Sequence, residues 1–85
     1  MYSVEFTKQA AQALRAMPTN MAVNIRAKIE ALAADPFAPN RNVKKLVGRD
    51  GYRLRVGDWR VLYQIEDGRL VIVVLAVRPS GGAYQ

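Results

Sequence analysis

The chain has 85 residues, about half of them apolar, carries a net charge of +6, and contains neither cysteine nor histidine. That length suits one domain with one modest core and excludes two. Without cysteine there is no disulfide framework or thiolate metal site, and without histidine the usual proton shuttle and the commonest metal ligand are both missing, so no metal and no cofactor are expected.

The opening Met1-Tyr2-Ser3-Val4-Glu5-Phe6 alternates and carries an acid, unlike a signal peptide, and residues 2–6 read as a short strand. Thr7 stands where it can cap a helix with apolar positions at Ala10, Leu14 and Met17, which Pro18 stops. Thr19 or Asn20 then caps a second helix, whose stripe Met21, Ile25, Ile29, Leu32 has i, i+4, i+8, i+11 spacing and ends at Asp35-Pro36. So tight a connection predicts an antiparallel helix hairpin lying on an apolar surface. Residues 36–45 read as loop, and Leu46-Val47 as a plug into the core before a turn at Gly48 to Gly51.

From there the pattern has period two. Tyr52–Val56, Trp59–Glu66 and Arg69–Val77 read as three strands, joined by two-residue turns at Gly57-Asp58 and Asp67-Gly68. The last is apolar at nearly every position, as expected of a strand covered on both faces, and its run from Leu70 to Val77 is far too short to span a bilayer. The order β-α-α-β-β-β predicts a single α+β domain over residues 1–85. In it, an N-terminal strand and a two-helix hairpin pack on a small, mostly antiparallel four-stranded sheet. A cysteine-free chain with no membrane segment suits a reducing, cytoplasmic setting.

Charge is unevenly spread. Residues 1–40 hold four bases against three acids, whereas residues 41–85 hold nine bases against four acids. Such an asymmetry suggests a polyanionic or acidic partner, with a merely soluble basic surface as the alternative.

The turn at Gly57-Asp58 fixes a register that sets Val56 opposite Trp59, Arg55 opposite Arg60, Leu54 opposite Val61, Arg53 opposite Leu62 and Tyr52 opposite Tyr63. Tyr52, Leu54, Val56, Trp59, Val61, Tyr63 and Ile65 then face the core, and Arg53, Arg55 and Arg60 face away together. Like charges across a ladder cost up to about 1 kcal/mol per pair. An anion between them removes that penalty and gains charge-assisted, often bidentate hydrogen bonds, a geometry that suits phosphate. The alternative is a solvated basic face paired with Glu66 or Asp58. Trp59, Tyr52 and Tyr63 read as core aromatics rather than stacking platforms. Lys44 and Lys45 can touch a nucleic-acid backbone or stand as a solvated loop pair. Tyr84, beyond Gly81-Gly82, can fold back over the arginine face or stand idle. Glu5, Glu30 and Asp35 are scattered and make no carboxylate cluster, and there is no phosphate-binding glycine loop.

The run from Leu46 to Ile65, with Tyr52-Arg53-Leu54-Arg55-Val56-Gly57-Asp58-Trp59-Arg60-Val61-Leu62-Tyr63 at its centre, closely resembles the RelE-like toxins of the RelE/ParE superfamily. The family's run has the form L-x-G…Y-R-L-R-V-G-x-Y-R-V-x-Y. The opening Val4-Glu5-Phe6-Thr7 and the helix hairpin fit too. The resemblance implies a type II toxin held by a cognate antitoxin protein. It implies a metal-independent, ribosome-dependent endoribonuclease in which the ribose 2′-hydroxyl of mRNA attacks the adjacent phosphate. By position, Arg53 and Arg55 match the family's paired basic residues, Arg60 the arginine on the scissile phosphate, and Tyr84 the tyrosine that orients a base; Arg78 joins the RNA-binding set with Lys44 and Lys45. The chain departs from the family at its end: Val77-Arg78-Pro79-Ser80 puts Ser80 in the place of a catalytic arginine, which implies weakened cleavage, with Arg78 as a substitute displaced by two residues. ParE-type poisons of DNA gyrase share the fold and much of the motif but need neither the arginine set nor the tail tyrosine. A third reading is a degraded toxin that survives as an antitoxin-binding partner.

Overall fold

The computed structural model describes residues 1–80. Within them the elements run β1 (Ser3–Phe6), α1 (Lys8–Ala16), α2 (Thr19–Ala34), β2 (Val43–Lys45), β3 (Tyr52–Val56), β4 (Trp59–Glu66) and β5 (Val71–Pro79). The strands form one sheet in the order β1-β5-β4-β3-β2, in which β1 runs parallel to β5 and every other pairing is antiparallel.

Local chemistry explains most of the boundaries. The Thr7 hydroxyl accepts from the Ala10 amide (3.2 Å) and donates to the Leu75 carbonyl (2.6 Å), so one side chain caps α1 and ties it to β5. Pro18, which has no N–H to lose, itself precedes α2; no side chain caps that helix, which corrects the expectation that Thr19 or Asn20 would. The helices cover one face of the sheet. Ala10 and Leu14 from α1 and Ile25, Ile29 and Leu32 from α2 share a core with Leu54, Val56, Val61, Tyr63, Ile72, Val74 and Val77. Burying each of the larger aliphatic side chains contributes about 1.5–3 kcal/mol.

The sheet has five strands and not four. Val43–Lys45, expected as loop, pairs with β3 through Val43↔Leu54, Lys44↔Arg53 and Lys45↔Tyr52. Three residues are too few to display alternation, and the exposed edge of β3 makes them a strand. Leu46 packs only partly and Val47 stands 97% exposed, so the proposed core plug is not one. The β4–β5 connection is a single 3-10 turn over Asp67–Arg69 followed by Leu70 in the left-handed region (φ 55°), and β5 therefore starts at Val71. The β3–β4 connection keeps its two residues, with Gly57 supplying the positive φ (56°) that the first central position of such a turn requires.

Candidate functional site

Among the described residues no element covers the face of the sheet opposite the helices, and the basic residues gather at one end of it. The β3–β4 register is the one the sequence predicts, with Arg55 directly across from Arg60 and Arg53 across from Leu62. The next ladder sets Arg60 across from Arg78. Arg55, Arg60 and Arg78 thus form a row over three adjacent strands on one face of the sheet. A second row lies beside it, because Lys44 on β2 is the register partner of Arg53. Lys45, one residue on, pairs with Tyr52 and falls on the other side of the strand by alternation.

Among the described residues the ion pairs belong to Arg69, which contacts Glu5 at 3.1 Å and Glu66 at 2.5 Å. Glu66 is therefore committed elsewhere, and the arginine rows have no carboxylate partner among those residues. Arg55 and Arg78 are exposed, whereas Arg53 and Arg60 are partly buried. The Nε of Arg60 is buried without a hydrogen-bond partner among the described residues. Partial burial reduces solvent screening, so the cationic row offers an anion more than a fully solvated cluster would.

Two of the depressions that adjoin the rows bear on the site. One, of about 240 Å³, is lined by Arg41, Asn42, Lys44, Arg53 and Arg55. The other, about 550 Å³, lies between α1 and the β4–β5 end of the sheet, where Arg60 and Arg78 meet Trp59. Arg41 and Asn42 had no visible signal beyond charge, since a loop carries no periodicity. Asn42 is placed by a backbone bond, its carbonyl accepting from the Arg55 amide at 2.9 Å.

The aromatic residues divide. Tyr63 is fully buried and stacks on Tyr52 (centroids 5.5 Å apart, 21° between planes), as core residues should. Burial pushes the Tyr63 hydroxyl up to about 12, and it lacks a hydrogen-bond partner among the described residues. Trp59 packs against the core but also lines the larger depression. Ser80 lies at the end of β5, its amide donating to the Asp58 carbonyl at 2.6 Å. Arg78 stands in the row, two residues before Ser80. Tyr84 lies outside the described residues.

Among the described residues no group of three or more acidic side chains could hold a metal ion, and no helix is long and apolar enough to cross a membrane.

A family profile described as the ParE toxin of type II toxin–antitoxin systems, parDE, matches residues 4–84. A sequence from Methanocaldococcus jannaschii carrying the toxin name RelE1 is 28% identical over 99% of this chain and 96% of its own. A chain of the archaeal RelE–RelB complex from Pyrococcus horikoshii superposes with a TM-score of 0.81 at 32% identity, covering 94% of this chain and 96% of that one. A chain of the toxin–antitoxin complex RelBE2 from Mycobacterium tuberculosis superposes with a TM-score of 0.78 at 27% identity, covering 92% and 96%.

Proposed function

The chain belongs to the ParE toxin family of type II toxin–antitoxin systems, close to RelE within the RelE/ParE superfamily, and from that premise we propose that it is a ribosome-dependent endoribonuclease acting on mRNA. The observation that carries this reading is the Arg55–Arg60–Arg78 row, like charges set side by side on an open sheet face. Such a row costs stability unless an anion fills it.

In the proposed reaction the ribose 2′-oxygen forms a bond to the adjacent phosphorus and the bond to the 5′-oxygen breaks. The 2′-hydroxyl proton passes to solvent, the leaving 5′-oxygen takes one up from it, and the products are a 2′,3′-cyclic phosphate and a free 5′-hydroxyl. The row grips the non-bridging oxygens and spreads the charge that grows in the transition state, while Arg53 and Lys44 hold the neighbouring backbone. Tyr84 orients a base. This is catalysis by positioning and electrostatics, in keeping with a chain that has no histidine to move protons. Ser80 adds no charge near the leaving oxygen and a guanidinium is a poor proton donor, so cleavage is attenuated. The test is to add the purified chain to a translating extract and map RNA ends. Cuts inside translated codons, bearing cyclic phosphates and stronger with Ser80→Arg, are expected; ends unchanged by Arg60→Ala refute the reading.

A second reading, a poison of DNA gyrase, is favoured by the ParE profile match and by Ser80. Under either reading the chain has a cognate antitoxin, which the toxin–antitoxin complexes among its structural neighbours support. Its binding segment is acidic and amphipathic and covers the basic face. A pull-down from the native operon that recovers no small co-encoded protein counts against this.

A further inference from the structure

The larger depression is not needed to hold a phosphate, yet it shares two residues with the phosphate row. It is lined by Gln9, Ala13 and Ala16 of α1 and by Trp59, Arg60 and Arg78 of the sheet. Its volume of about 550 Å³ falls in the range of pockets that hold one small planar ligand, and is too small for a peptide helix of about 10 Å diameter to enter lengthwise.

Its polar groups are unspent donors. The Gln9 carboxamide oxygen accepts from the Val77 amide at 3.3 Å, and its two N–H groups have no partner among the described residues. Arg60, which also lines the depression, has a buried Nε–H without a partner among the described residues. Donors beside an aromatic side chain, with cations on the rim, complement a ring that carries acceptors and is tethered to a phosphate.

We infer that this groove is a nucleobase subsite, which takes the base of a nucleotide adjoining the phosphate held by Arg55, Arg60 and Arg78, against Trp59 and within reach of Gln9. This rests on the RNA reading above. It gives Trp59 a role that its place on the core face of β4 did not suggest. Base–aromatic contacts of this kind are tolerant of sequence, and the Gln9 donors add a preference for bases presenting acceptors.

Trp59 is the only tryptophan in the chain and reports directly. The probe is a 2′-O-methyl hexamer of adenosine, which cannot be cut, beside the same backbone lacking its bases. The hexamer is expected to quench Trp59 fluorescence and to bind on the order of tenfold more tightly than the abasic backbone, which binds through phosphates without quenching. Ala16→Leu, at an exposed helix end, fills the groove without touching the core and should remove that advantage while leaving abasic binding unchanged. Gln9→Ala should reduce it, and Arg60→Met should weaken both probes. Equal affinity for the two probes, or an Ala16→Leu variant that binds the hexamer like the parent, overturns the subsite and leaves the RNA reading standing. Binding of neither probe also overturns the subsite, while the ribosome-dependent reading stands or falls on the RNA ends mapped in the translating extract. Loss of antitoxin capture in Ala16→Leu with RNA binding intact makes the groove a protein-docking site and overturns the inference.

Discussion

Replacing Arg60 by methionine should make the protein more stable while disabling it. Arg60 has like-charged register partners on both sides, Arg55 on β3 and Arg78 on β5. Each such pair costs up to about 1 kcal/mol, and solvent screens the exposed outer members, so relief of both sums to about 1 kcal/mol. Methionine keeps the apolar stem that packs along the sheet and removes a buried Nε that has no partner among the described residues. For a domain of this size that gain raises Tm by about 4–8 °C at low ionic strength. In 1 M salt, with a screening length of about 3 Å, the part owed to like-charge repulsion should nearly vanish, leaving only the smaller gain from removing the buried Nε. Inorganic phosphate should narrow the gap from the other side, stabilising the parent through the arginine row and the variant much less. Calorimetry at low salt, at high salt and with phosphate makes the comparison. A variant less stable than the parent at low salt, or a gain of equal size at high salt, refutes the idea that the row is an electrostatic cost kept for a ligand.

Gly51→Ala should destabilise by about 2–3 kcal/mol in urea titrations, because φ is +121° and an added Cβ would lie 2.9 Å from the Tyr63 carbonyl oxygen; a loss below half a kilocalorie would show that the turn yields freely. Thr7→Ala should cost about 1–2 kcal/mol, since it removes both the α1 cap and the bond to Leu75, and an unchanged urea midpoint would contradict this. Tyr63 titrates higher when folded (about 12) than when unfolded (10.0), because burial disfavours its anion. The unfolded chain thus sheds that proton first, and the stability this residue contributes is intact below pH 10 and lost as pH rises towards 12. Urea midpoints of parent and Tyr63→Phe at pH 9 and pH 11 should diverge, the parent falling further; parallel falls would mean that the hydroxyl is solvated.

The readable parts of the fold were those with a period or a punctuation mark. Alternation and the Gly57-Asp58 turn gave the whole β3–β4 register, and with it the shared face of Arg53, Arg55 and Arg60, because a two-residue loop leaves no freedom in pairing. The helix stripe and Pro18 located α1 and α2, because apolar residues three and four apart mark a buried helix face and proline ends a helix. What escaped depends on distant partners. The strand character of Val43–Lys45 comes from the edge of β3, and the 3-10 turn before Val71 ends in a leucine whose left-handed conformation no local rule favours. Arg78 carried the right parity, but its position opposite Arg60 depends on the irregularity in the β4–β5 ladder at Leu62/Tyr63, which alternation alone cannot place. The groove beside Trp59 needs α1 and β5 together, and its members from α1, Gln9, Ala13 and Ala16, look like ordinary helix surface in the sequence.

Action of the arginine row on a phosphate of mRNA can be read in growth-arrested cells expressing the chain or its Arg60→Met variant without antitoxin. Messenger RNA 5′ ends and gyrase-linked DNA breaks would be mapped from the same cultures. New RNA ends inside translated codons are expected with the parent chain, with their loss together with the arrest in the folded variant and no gain of DNA breaks in either. DNA breaks without RNA cuts, or arrest that persists in Arg60→Met, would contradict it.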